Sequence, residues 1–157
     1  MWRNSGFTLL EVLVVIGIIA ILATLAIPSL FGFNSKQRLQ IAAADIHAAI
    51  QLGRMAAIKE NARVVLLFDV EAKTYLLFVD NGAGAHGGNG AKDSDEPVIR
   101  FGGIPGGVDL STSFSHDRLD FDGRGFTNAD GAGVTLSNRG GSAKVIEVTV
   151  TGSSRIL

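Results

Sequence analysis

Apolar and polar positions divide the chain into three regimes. Residues 7–33 are almost continuously apolar, and residues 12–35 contain no ionisable side chain. About 20 apolar helical residues, each rising roughly 1.5 Å, cross a bilayer core. This run therefore predicts a transmembrane helix, and too little chain remains to wrap a core helix of that length. A cleaved secretory signal has an apolar region of only about 7–15 residues ending at a small-residue site. Here apolarity continues into Ile27 and Leu30.

Residues 34–61 change to a helical period with no proline. Leu39, Ala42, Ala43, Ile46, Ile50, Gly53 and Ala57 fall on one stripe at 100° per residue, the pattern of a helix laid against a sheet. Gly53 would permit close approach there. A second set, Ile41, Ala48, Leu52 and Met55, points the other way, with Gln40, His47, Gln51 and Arg54 on the flank between. A helix on a monomer surface needs one apolar stripe. The second is either tolerated surface apolarity or, as the sharper reading, a contact face for neighbouring subunits. Together the two segments predict one helix of about 50 residues, some 75–80 Å long if straight.

Beyond it, residues 62–157 alternate with period two. Arg63-Val64-Val65-Leu66-Leu67-Phe68-Asp69 and Thr74-Tyr75-Leu76-Leu77-Phe78-Val79 flank a short turn and read as a hairpin. Pro97 to Phe101, Arg118 to Phe121, Gly133 to Ser137 and Lys144 to Thr151 are further candidate strands. Sixteen of the 20 glycines lie at or beyond Gly82, which places turns between these runs. Residues 81–96 are rich in glycine and acid and lack apolar anchors, so a mobile surface loop is expected. The expected class is α+β: a long amino-terminal helix packed on a carboxy-terminal antiparallel sheet.

Composition narrows the chemistry. Zero cysteines exclude disulfides and thiolate sites. Fourteen basic and 15 acidic residues give a net charge of -1, so bulk attraction to a polyanion has no basis. Asp120, Asp122, Asn128 and Asp130 lack the spacing of a calcium loop, and Gly123-Arg124-Gly125 reads as a turn. His47, His86 and the His116-Asp117 pair have no evident nucleophile beside them. No cofactor, metal or catalytic set is expected. Two features of the apolar run remain. Glu11 places a carboxylate near the start of the span, where it is costly without a partner. Pro28, followed one turn later by Gly32, predicts a kink or weak point in the helix.

Ser5-Gly6-Phe7-Thr8-Leu9-Leu10-Glu11, followed by the apolar run and Pro28, resembles the class III signal of type IV pilins and type II secretion pseudopilins. That resemblance implies a leader, residues 1–6, removed by the prepilin peptidase between Gly6 and Phe7. It also implies N-methylation of Phe7 and a role for Glu11 in docking onto the terminal amine of a subunit already in the filament. The physical logic agrees. Cleavage would create a cationic amine one helical turn from Glu11, and each charge could neutralise the other in low dielectric. If the amine belongs to a neighbour, the pair sets axial register. The implied location is the bacterial inner membrane, single-pass, with the carboxy-terminal domain on the periplasmic side. Charge alone does not choose that orientation, since Lys36 and Arg38 follow the span while only Arg3 precedes it. Implied partners are other pilin subunits, the peptidase and methyltransferase, and membrane lipid.

Phe121-Asp122-Gly123-Arg124-Gly125, then Gly133-Val134-Thr135-Leu136, then Val148-Thr149-Val150-Thr151-Gly152 before Arg155 resemble the GspH/FimT subgroup of minor pseudopilins and minor pilins. The implied function is a minor structural subunit of a secretion pseudopilus or type IV pilus. The alternative is DNA binding during transformation, which some FimT-type pilins perform through a glycine-arginine-any-arginine motif. Gly152-Ser153-Ser154-Arg155 carries only one of its arginines. Arg124, Arg139, Lys144 and Arg155 are the candidate phosphate contacts, provided the sheet gathers them.

Overall fold

The computed structural model describes residues 8–82 and 87–157, with residues 23–33 described by their backbone alone. It divides into two units, Met1–Asn34 and Ser35–Leu157. One helix, α1 (Leu9–Glu60), contributes to both. Eight strands follow: β1 (Arg63–Asp69), β2 (Thr74–Asp80), β3 (Val98–Gly103), β4 (Val108–Thr112), β5 (Arg118–Phe121), β6 (Gly133–Asn138), β7 (Ala143–Val148) and β8 (Ser154–Ile156).

Both ends of α1 have a chemical cause. At the start, Thr8 stands at the cap, and its Oγ1 accepts a hydrogen bond from the Glu11 amide at 3.3 Å. Glu11 is thus the acidic third residue of a capping-box sequence, and its charge suits the positive end of the helix dipole. At the other end Asn61 takes the left-handed conformation (φ 47), and the Ala62 amide reaches back to the Ala57 carbonyl at 3.3 Å. That is the helix-terminating geometry asparagine tolerates better than most side chains.

Within the second unit, every member of the predicted stripe is buried: Leu39, Ala42, Ala43, Ile46, Ile50, Gly53 and Ala57. A Cβ on Gly53 would stand 2.9 Å from the Phe121 ring, so the glycine is what lets β5 approach the helix. Val64, Leu66, Tyr75, Leu77, Leu119 and Phe121 supply much of the facing core.

The single expected sheet is in fact two, each four-stranded and antiparallel. Their orders are β3-β2-β1-β5 and β4-β6-β7-β8. Strand β4 escaped the pattern analysis because it is short and directly follows Gly106-Gly107. The expected strand from Lys144 to Thr151 stops at Val148. There the Gly152 amide bonds the Thr149 carbonyl at 2.9 Å, with Gly152 at φ 73, and the chain turns back as β8.

The described part of the 81–96 segment, residues 81–82 and 87–96, is a surface loop held by polar contacts. Asp80, 3% exposed, accepts the amides of Gly88 (2.7 Å) and Gly90 (2.8 Å). Arg118 donates to the Gly90 carbonyl at 3.1 Å, and the buried Glu96 accepts from Gly82 and Asp93. Polar clamps replace the missing apolar anchors. Val65 and Phe78, on the face of the first sheet away from the main core, are also buried. Arg63, Asp80, Arg118 and Asp120 share that face by strand alternation.

Candidate assembly surface

In the first unit, residues 9–22 form an apolar surface open to the surroundings. Leu9 is 82% exposed, and Leu10, Leu13, Ile16, Ile19 and Ile21 are all exposed. Among the described residues no helix is long and apolar enough to cross a membrane. Gly6 and Phe7, the expected cleavage and methylation residues, lie outside the described residues. Pro28 and Gly32 fall within α1, where only the backbone is described, so the expected kink lies outside what is described. Glu11 is exposed in the first turn of α1.

In the second unit the helix presents an outward face. Ile41 and Ala48 are exposed, Leu52 is half-buried and Met55 is 59% exposed. A groove of about 440 Å³ opens beside it, lined by Leu52, Met55, Ala56, Val79, Pro97 and Ile99 and bordered by Lys59 and Glu60. Phe101, 67% exposed on edge strand β3, adds an aromatic on the same sheet.

Polar contacts fix the helix on each sheet. Tyr75 donates its hydroxyl to Asp45 Oδ2 at 2.6 Å, and Arg100 holds the other carboxylate oxygen. Burial, then the adjacent Asp45 carboxylate, pushes the Tyr75 phenol up to about 12. Gly102 makes room for that ring, since a Cβ there would lie 2.3 Å from Tyr75 Cζ. On the second sheet, Gln51 donates to Ser154 Oγ at 2.9 Å, and His47 Nδ1 lies 3.1 Å from the same hydroxyl.

The four candidate phosphate contacts are not gathered into one patch. Arg155 sits opposite Glu147 across the β7–β8 pair and bonds it at 2.7 and 2.9 Å. Lys144 is three residues from Glu147 on the same strand, so alternation puts it on the other sheet face. Arg124 bonds Asp122 at 2.9 Å. The Phe126 amide, followed by Arg124, holds the Asp122 carboxyl below the usual range. Arg139 lies in the β6–β7 turn. Asp120 is paired with Arg63 at 2.6 Å and Arg118 at 3.1 Å.

The model for the family described as "Type II transport protein GspH" matches residues 42–154, from the buried part of α1 into β8. The chain belongs to the GspH family. A second match, the prokaryotic N-terminal methylation motif, covers residues 3–27. Among solved structures, the type IV minor pilin FimU of Pseudomonas aeruginosa aligns with TM-score 0.62 at 16% identity, over 80% of this chain and 92% of that one. The minor pseudopilin EpsH of Vibrio cholerae aligns with TM-score 0.58 at 14% identity, over 76% of this chain and 96% of that one. At such identities the likeness is one of fold: the pilin-like α+β arrangement. Among sequences, the type II secretion system core protein G of Aeromonas hydrophila is 56% identical over 46 residues, 29% of this chain and 32% of that protein. The pilin-like protein PilA1 of Thermus thermophilus is 42% identical over 83 residues, 51% of each chain. The matched stretches therefore span between a third and about half of those relatives.

Proposed function

We propose that this chain is a minor structural subunit of a type II secretion pseudopilus or a type IV pilus. Residues 1–6 are a leader removed between Gly6 and Phe7, and Phe7 is then N-methylated. Residues 7–33 anchor the precursor in the bacterial inner membrane as a single pass, with residues 34–157 on the periplasmic side. Assembly draws that helix out of lipid and into a bundle of neighbouring helices. Glu11 sets register against a neighbour's terminal amine, and Pro28 with Gly32 supplies the bend.

One observation carries the reading: a methylation motif over residues 3–27 precedes a GspH-family domain on the same chain. Physics supports it from another side. The exposed leucines and isoleucines of residues 9–22 lose on the order of 25 cal/mol for each Å² left in water, so lipid or protein must cover them. Open contacts that extend without closing suit a filament built from one repeated design.

The test compares the full chain with Glu11→Ala in cells. The variant is expected to stay in the membrane fraction while its recovery in filaments falls more than about tenfold, since an unmatched charge costs several kcal/mol in low dielectric. Equal recovery removes the register role. Mass spectrometry of the mature product should begin at a methylated Phe7, and retention of residues 1–6 overturns the whole reading.

A further inference from the structure

Arg54 stands apart from the other arginines that touch the fold's polar contacts. Arg63, Arg100, Arg118, Arg124 and Arg155 each hold a carboxylate. Arg54, on α1 and half-buried, makes neither a hydrogen bond nor an ion pair among the described residues, and its Nε is fully enclosed without a partner. Its terminal nitrogens keep access to solvent.

The enclosure is built by two glycine turns. A Cβ on Gly152 would lie 3.1 Å from Arg54 Cδ and 2.3 Å from the Gly125 carbonyl oxygen. A Cβ on Gly125 would lie 3.1 Å from Arg54 Cγ and 2.8 Å from Ile58 Cδ1. Both glycines are left-handed, at φ 81 and φ 73, so a side chain is strained there as well as obstructed. The turns are joined to each other: Thr127 donates its amide to the Val150 carbonyl at 2.8 Å and its hydroxyl to the Thr149 carbonyl at 2.9 Å. The Arg54 stem therefore lies in a rigid slot of backbone, and three exposed apolar residues, Ile58, Phe126 and Val150, belong to the elements that form it.

A partly desolvated guanidinium without an acceptor costs the isolated subunit stability. A carboxylate arriving from outside would recover that cost, and the slot has already met the ordering cost of the arginine. Arginine held rigidly beside exposed apolar groups is also the composition of an interface hot spot.

We infer that Arg54, with the turns around Gly125 and Gly152, is a docking site for a carboxylate side chain on a neighbouring protein subunit, seated among Ile58, Phe126 and Val150. A protein partner is favoured over nucleic acid because Arg124 and Arg155 are already answered by Asp122 and Glu147. A lone cation without an acid in this slot does not make a phosphate track. The inference rests on the assembly function proposed above and names a surface through which it operates.

The experiment uses the full chain in its membrane, as wild type, Arg54→Met, Arg54→Lys and Glu11→Ala. Arg54→Met should melt at or above the wild-type temperature, because it removes an unpaired charge and keeps an apolar stem. Its recovery in purified filaments should fall about tenfold or more, with Arg54→Lys between the two. A lower melting temperature for Arg54→Met would make the arginine a structural element and overturn the docking site. Wild-type recovery of Arg54→Met beside loss of Glu11→Ala overturns the docking site and leaves assembly standing. Normal recovery of both overturns the docking site and the register role of Glu11, whereas absence of the wild-type chain from filaments overturns the assembly function itself. Salt-sensitive binding of a single-stranded oligonucleotide that disappears in Arg54→Met overturns the choice of a protein partner. The chain has no cysteine, so Val150→Cys gives an independent readout: a maleimide should label it in the free precursor and fail to label it in filaments. Equal labelling in both overturns the docking site.

Discussion

Residues 9–22 and residues 39–57 belong to the same helix and draw on the same small set of apolar side chains, yet their surroundings are opposite. In the first stretch, apolar residues point all round and stay exposed. In the second they are confined to a stripe, and two sheets close over it until Ala42, Ile46, Ile50 and Ala57 have no accessible surface. The difference teaches that apolarity says only that a cover is needed. Arrangement around the helix says which kind. A stripe can be covered by the chain's own strands, whereas an all-round surface requires lipid or other molecules.

The comparison can be broken most forcefully at Ile46. Ile46→Ala should destabilise the carboxy-terminal unit by about 3 kcal/mol through lost burial and an unfilled cavity, read as a drop of its denaturation midpoint. Ile16→Ala in the exposed stretch should leave that midpoint unchanged within about 0.5 kcal/mol. Equal effects would mean that the two stretches are not covered differently.

A smaller effect sharpens how the covered stretch is held. The folded state raises the Tyr75 phenol from 10.0 to about 12, which favours its neutral form. Its contribution is thus complete below pH 10 and is lost as pH rises through about 12. Unfolding followed by circular dichroism should show this alkaline loss in wild type and a reduced loss in Tyr75→Phe. Near pH 7 the variant should be weakened by about 1 kcal/mol, the usual cost of one such hydrogen bond. The smallest change belongs to the exposed stretch. Thr8→Ala removes the side-chain acceptor of the Glu11 amide, leaving the Thr8 carbonyl at 3.1 Å, and should speed hydrogen exchange at that amide by a few-fold at most, in line with a cap contribution of about 1 kcal/mol or less.

Much of this was legible beforehand because it is written locally. The stripe from Leu39 to Ala57, the β1–β2 hairpin and β5 follow from periods of 3.6 and 2 that each segment carries within itself. The close approach at Gly53 was readable for the same reason, since a residue without a side chain on a buried stripe marks where something comes near. Strands β4 and β8 were not legible. Each is short, and each counts as a strand because of a partner far away in the chain for β4 and across a glycine turn for β8. The polar anchoring of Gly88 and Gly90 was not legible for a related reason: their anchor, Asp80, lies in the preceding strand, and its burial depends on which amides fold back over it. Arg54 falls on a polar flank, and pattern alone offers no sign that no acid of the described residues would reach it.

By itself, then, the amino-acid sequence determined an amino-terminal methylation motif, an apolar helical run with Glu11 near its start, a second helical half with one covered face, and a β-rich remainder. These depend on neighbours a few residues apart. Tertiary structure alone decided that the strands form two sheets rather than one, that Asp80 holds a polar segment down, and that Arg54 is enclosed without an acid. Such outcomes depend on which distant groups meet, and hydrogen-bond and charge pairing at close range is not encoded in any one segment's periodicity.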